Sequence, residues 1–158
     1  MKNILILGAS SDIGIQVVEN FLNEGWNVTA HYNSKNTFKK KKFKNKNLSL
    51  LKFDLTNILS FEKFLKKNSH KFSKFDAFVS LTGYLKRVSF KNFNSSDIYN
   101  HFNVNFLSNI LLIKVLLKGM KKRKYGRILL TSSIGTKFGG GLNSFAYSLS
   151  KFNNEFFP

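Results

Sequence analysis

Tyr147 and Lys151 stand four residues apart, so on a helix they share one face, a turn from each other. A tyrosine is a poor acid–base group at neutral pH, because the pKa of a free phenol is near ~10. Lowering such a pKa by about 2–3 units takes roughly 3–4 kcal/mol. A single ammonium about 4 Å away supplies roughly 4 kcal/mol at an effective dielectric of ~20. One lysine held close is therefore enough to make a proton donor of a tyrosine. Ser133, in the run Ser132-Ser133-Ile134-Gly135, leaves the end of an expected strand towards the same crevice. Its hydroxyl could donate to a carbonyl oxygen.

These groups need a scaffold, and the N-terminus supplies its first part. Ile4-Leu5-Ile6-Leu7 is an apolar run closed by Gly8, which reads as a strand of a parallel sheet covered on both faces. Gly8, Ala9, Ser10 and Ser11 then form a small-residue turn, and Ile13, Val17, Val18, Phe21 and Leu22 recur at helical spacing. Strand, small turn and helix present backbone N–H groups and a positive helix end to a phosphate. Gly8 allows the sharp turn, and Gly14 allows close approach of helix and strand. Only two of the usual three dinucleotide-fingerprint glycines are present, and Ser11 or Asp12 fills the middle place. Asp12 must turn away to cap the helix if a pyrophosphate is to sit there.

The remaining elements alternate. Asn27–Tyr32 reads as a second strand, Leu48–Phe53 as a third, Phe75–Ser80 as a fourth and Arg127–Thr131 as a fifth. Between them lie helical patterns, among them the stripe Ile58, Phe61, Phe64 and Leu65. Ser95 or Ser96 is expected to cap a helix starting near Asp97. From Val104 to Met120 the pattern is apolar on almost every side, predicting burial on the sheet and against a second subunit, in a homodimer or tetramer. This rhythm predicts one α/β domain over residues 1–158, a doubly wound Rossmann-type parallel sheet of about five strands in the order 3-2-1-4-5.

Composition narrows the functions. The chain has no cysteine, and its three histidines, His31, His70 and His101, are scattered, which predicts surface or loop positions and no metal site. No apolar run of membrane-spanning length and no signal peptide are visible, so a cytoplasmic protein without membrane attachment is expected. Of 26 basic residues 23 are lysine, giving a formal charge of +18. With only three arginines, specific nucleic-acid recognition is not expected. An acidic substrate or carrier steered by the basic surface suits the charge better. The segment Lys35–Asn47 carries seven lysines with Phe38 and Phe43, and reads as a solvated loop or short helix. At the end of the second strand stand Tyr32, Asn33, Ser34 and Lys35, with no acid to bond a ribose 2′-OH. NADP(H) is therefore favoured over NAD(H).

Taken together, the Gly8–Gly14 turn, Ser133 and Tyr147-x-x-x-Lys151 resemble the short-chain dehydrogenase/reductase family over essentially the whole chain. That resemblance implies an oxidoreductase that reduces a ketone or oxidises a secondary alcohol, with 3-oxoacyl substrates one candidate. It makes Tyr147 the general acid, Lys151 the group that tunes it and holds the nicotinamide ribose, and Ser133 the polariser of the carbonyl. Asn105 matches the family's helix asparagine, which kinks its helix and anchors a water. Asp54 matches the acid that contacts adenine. The implied cofactor crevice comprises Gly8, Ser10, Ser11, Asp12, Ile13, Gly14, Asn33, Ser34, Asp54, Leu55, Thr82 and Gly83, with Tyr147 and Lys151.

Several positions depart from the family pattern. Leu7 replaces a threonine, Asp12 a glycine, and Ser80-Leu81-Thr82-Gly83 keeps only the last residue of Asn-Asn-Ala-Gly. Family members continue through a sixth strand, a substrate lid and a seventh strand, whereas Pro158 follows Lys151 by seven residues. The expectation is a truncated chain with an exposed fifth strand and weak activity of its own. The competing readings are a non-catalytic nucleotide-binding or interaction protein and a lysine-based polyanion binder.

Overall fold

The computed structural model describes residues 1–35, 37–40 and 45–157. Phe43 and the lysines at 41, 42 and 44, part of the lysine-rich segment, lie outside the described residues. The strands are β1 (Asn3–Leu7), β2 (Asn27–Tyr32), β3 (Leu48–Lys52), β4 (Ala77–Ser80) and β5 (Arg127–Leu130). All pair in parallel, in the order β3-β2-β1-β4-β5, as the alternating pattern predicts. The helices are α1 (Asp12–Asn23), α2 (Thr37–Lys40), α3 (Ile58–Lys67), α4 (Ser69–Phe72), α5 (Ser95–Phe102), α6 (Ser108–Arg123) and α7 (Phe145–Phe152).

Strand alternation divides the core in two. Leu5, Leu7 and Phe78 face one side and meet Phe61 and Leu65 of α3, Phe72 of α4, and Leu112 and Leu116 of α6. Ile4, Ile6, Val28 and Ala30 face the other and meet Ile15, Val18 and Leu22 of α1 and Phe38 of α2. The central β1 is thus wholly buried on both faces, which is why its sequence is an unbroken apolar run.

Some local expectations are corrected. Ile13 is 68 % exposed, because the face of α1 that meets the sheet is Ile15, Val18 and Leu22. Ser11, not Asp12, caps α1, its Oγ accepting from the Gly14 N–H at 3.1 Å. Asn94 caps α5, in place of Ser95 or Ser96, and α5 begins at Ser95. His31 and His101 are buried rather than at the surface, whereas His70 is exposed. Each buried ring finds backbone partners from distant or preceding turns: the Gly8 N–H and Phe53 carbonyl for His31, the Lys86 N–H and Asp97 carbonyl for His101.

The helical stretch Ser95–Arg123 is continuous for 29 residues and reaches a mean hydropathy of 1.2. By length and composition it could cross a membrane, contrary to the expectation that no run is long enough. In this fold its residues Leu112, Ile113, Leu116 and Met120 lie in the core under the sheet, while Leu107 and Leu117 stay partly exposed. At the far edge, Ile128 and Leu129 of β5 are exposed as well.

Candidate active site

The order of strands reverses between β1 and β4, and the crevice outside their C-terminal ends is where such sheets take ligands. A concavity of about 500 Å³ opens there. Of the expected cofactor residues, Gly8, Ser10, Ser11, Asn33, Asp54, Leu55, Thr82 and Gly83 line it, joined by His31, Lys35, Thr56 and Tyr84. Asp12, Ile13, Gly14, Ser34, Tyr147 and Lys151 belong to adjoining stretches without lining it.

The turn is built for close approach. Gly8 has φ +70°, and a Cβ there would stand 2.9 Å from the Leu81 carbonyl carbon. A Cβ on Gly14 would stand 2.6 Å from the Ala9 carbonyl oxygen. Both glycines are therefore demanded by sterics. Ser11 locks the turn, donating to the Gly8 carbonyl at 3.0 Å while capping α1. His31, from β2, accepts the Gly8 N–H on Nδ1 at 3.3 Å and donates from Nε2 to the Phe53 carbonyl at 2.9 Å. Burial holds its pKa below the usual 6.5, so the ring stays neutral and able to accept. At the end of β3, the Asp54 carboxylate accepts from the Thr56 N–H and hydroxyl and from Asn33 Nδ2 at 3.5 Å.

Beside the Thr82–Gly83 edge of the crevice, α7 presents Tyr147 and Lys151. The Tyr147 hydroxyl lies beside Gly83, 3.9 Å from where a Cβ would be. The Lys151 ammonium is buried and donates to the Thr82 carbonyl (2.6 Å), the Thr131 carbonyl (3.0 Å) and the Thr131 hydroxyl (3.1 Å). Desolvation lowers its pKa from 10.5 to about 8. Two residues of one helix face thus reach the end of β4, the strand next to the Gly8 turn. Ser133 caps a 3₁₀ turn over Ile134–Phe138, its Oγ accepting from the Gly135 N–H at 3.2 Å. That bond leaves the hydroxyl proton free to donate.

Asn105 is fully buried within a single π turn, Asn103–Leu107, between α5 and α6. Its Oδ1 accepts from the Tyr84 N–H (2.8 Å), and its Nδ2 donates to the Tyr84 carbonyl (3.0 Å) and Ser150 Oγ (2.9 Å). The side chain therefore fastens the loop after β4 to the helix carrying Tyr147. Sequence reading missed Thr131, His31, Asn109 and Asn154. The two asparagines extend the network, Asn109 Nδ2 donating to Asn154 Oδ1 at 3.2 Å and Asn154 Nδ2 to the Asn105 carbonyl at 2.8 Å. The four-residue step from Asn105 to Asn109 was the available signal, since it puts both on one helix face.

A parallel sheet in the order 3-2-1-4-5, with a glycine turn at the switch point and a tyrosine and a buried lysine one helical turn apart at the end of the next strand, defines a Rossmann-like α/β protein. The chain matches the short chain dehydrogenase family over residues 2–157 and belongs to it. It is 30 % identical over 155 residues to the Schizosaccharomyces pombe protein named Uncharacterized oxidoreductase C162.03, covering 98 % of this chain and 52 % of the relative. It is 26 % identical to the Ketoacyl reductase HetN of Nostoc sp., covering 95 % of this chain and 53 % of the relative. Among solved structures it resembles that of ElxO with NADP bound, at a TM-score of 0.77 and 27 % identity, covering 96 % of this chain and 62 % of that one. The chain spans about half the length of the curated relatives it matches.

Proposed function

We propose that this chain carries the cofactor half and the proton-transfer group of an NADP(H)-dependent oxidoreductase, acting between a ketone and a secondary alcohol. The observation that carries the reading is the meeting of Tyr147, Lys151 and Thr82–Gly83 at the end of β4, beside the Gly8 turn. A bound nicotinamide dinucleotide supplies or accepts the hydride. The residues present fit such a group: Gly8, Ser10 and Ser11 of the small-residue turn line the crevice together with Asn33 and Asp54, and the turn leads directly into the N-terminus of α1. In this reading Ser133 donates to the substrate oxygen, and Tyr147 gives that oxygen its proton. Lys151, charged below about pH 8, stands one helical turn from the phenol as the cation of the site. Asn105 keeps the Tyr84 loop and the Tyr147 helix in register.

The 2′-phosphate form is supported by Lys35 in the crevice wall and by the lack of an acid among Asn33, Ser34 and Lys35 after β2. HetN, named a ketoacyl reductase, supports a 3-oxoacyl substrate, and the basic surface would steer one carried on an acidic protein. Partial exposure of Leu107, at the end of the π turn, and of Leu117 on α6 offers the apolar face that a second subunit would cover.

The test is fluorescence titration of the chain with NADPH and NADH beside Lys151→Ala, then NADPH oxidation with a 3-oxoacyl thioester. Tighter NADPH binding that the substitution weakens, and turnover that Tyr147→Phe abolishes, is the expected result. Cofactor binding with no turnover, indifferent to Tyr147→Phe, would instead establish a non-catalytic nucleotide-binding protein.

A further inference from the structure

A second concavity, of about 490 Å³, runs through the outer helix layer between α3–α4 and α6. It shares no lining residue with the cofactor crevice. Its floor is apolar: Leu65 is buried, and Leu111 and Val115 are half-buried. Along α6, Leu111, Val115 and Gly119 follow at every fourth residue, and Lys114, Lys118 and Lys122 follow at the same pitch. An apolar strip and a cationic strip therefore lie side by side along one wall. The facing wall adds Lys66 and His70.

In a chain with a formal charge of +18, lysines on a rim are unremarked company. The informative feature is a floor that stays apolar between them. Glu62 is the only carboxylate in the lining, and it is paired with Lys66 at 2.9 Å. Among the described residues, none of the ion pairs involves Lys114, Lys118 or Lys122. At Gly119 the walls meet, since a Cβ there would fall 1.7 Å from the Ser73 carbonyl oxygen. Arg123 fixes that junction, donating to the Ser73 carbonyl at 2.8 Å and the Phe75 carbonyl at 2.6 Å.

The dimensions choose the occupant. The α6 wall runs from Leu111 to Lys122, eleven residue steps or about 16 Å at the rise of a helix. A volume of about 490 Å³ over that length leaves a cross-section of about 30 Å². A helix with side chains is about 10–12 Å wide and needs roughly three times that area. A single extended alkyl chain does not. We propose that the groove between α3–α4 and α6 binds a linear amphiphilic anion, with its apolar chain along Leu65, Leu111 and Val115 and its acidic head among the lysines.

The experiment is calorimetric titration of the whole chain with decanoate, butyrate and 1-decanol, below any micelle-forming concentration. Saturable 1:1 decanoate binding is expected, with butyrate and 1-decanol each at least tenfold weaker. Lys118→Glu with Lys122→Glu should weaken decanoate at least tenfold. Ser69→Trp, which obstructs the groove and keeps every rim charge, should do the same. Decanoate binding unchanged by both variants, or equal binding of 1-decanol, would overturn the proposal. So would failure of decanoate where an acidic amphipathic peptide binds in a Lys118-dependent way, which would reassign the groove to protein partners.

Discussion

Lys151 gives the fold an alkaline signature that can be measured without any substrate. Its ammonium is 2 % exposed and meets three oxygens but no carboxylate, and burial brings its pKa from 10.5 to about 8. Below pH 8 both folded and unfolded chains carry the proton, so the penalty is constant. Between pH 8 and 10.5 the unfolded chain holds the proton and the folded chain releases it, so stability must rise with pH. Above 10.5 both are neutral and the rise ends. A difference of this size corresponds to roughly 3 kcal/mol at 1.36 kcal/mol per pH unit. Other lysines and tyrosines titrate in the same range, so the measured quantity is a difference. Urea unfolding of the wild type and Lys151→Met, from pH 7 to 11, should show the wild type gaining on the variant by about that amount. A difference that stays flat across pH 8 to 10.5 would refute the claim that a charged Lys151 is buried at desolvation cost.

Gly8→Ala should destabilise the chain by at least about 2 kcal/mol, from the left-handed backbone and the contact with Leu81, and abolish NADPH binding in the same titration. Asn94→Ala removes the side-chain half of a capping box, leaving the bond from the backbone N–H of residue 94 to Asp97, and should cost about 1 kcal/mol, read as a Tm lower by about 2–4 °C. His31 has a lowered pKa, so the unfolded chain takes its proton more readily and stability should fall as pH drops below about 6.5. His31→Asn, whose side-chain oxygen can accept the Gly8 N–H, should flatten that fall in acid-unfolding curves.

The sheet was legible because its centre is buried on two faces. Ile4–Leu7 has no polar residue to conceal its nature, and the strands on either side of it sit between glycines and polar turns. Local choices among similar residues were harder. Asn94, Ser95 and Ser96 can all cap a helix, but only Asn94 has an acid three residues on, and that Asp97 completes the reciprocal bonds. The periodicity of α1 suggested Ile13 because it stands four residues before Val17, but that position lies about 180° round the helix from Leu22, opposite the face that Ile15, Val18 and Leu22 pack on the sheet. The buried histidines were not legible at all. Their partners at Gly8, Phe53 and Lys86 come from other parts of the chain, and no local pattern announces them. The pairing of Tyr147 with Lys151 could be read from spacing, while the role of Thr131 as the lysine's acceptor required the fold.

The π turn at Asn103–Leu107 sets the rotational phase of the long helix on either side of it. Asp97, His101, Asn105 and Asn109 all point inward at steps of four, although each such step overshoots a full α-helical turn by about 40°. A wider turn takes up that overshoot within one coil of backbone. The polar residues of α5 and the apolar residues Leu112, Leu116 and Met120 of α6 can then share one side of a single rod. Removing one residue from α6 itself, where no wider turn absorbs the change, would turn the rest of that helix by roughly 100°. The site and the core are therefore synchronised by one surplus residue held in the wider turn, and the regular helix beyond it is the stretch that a change of length would put out of phase.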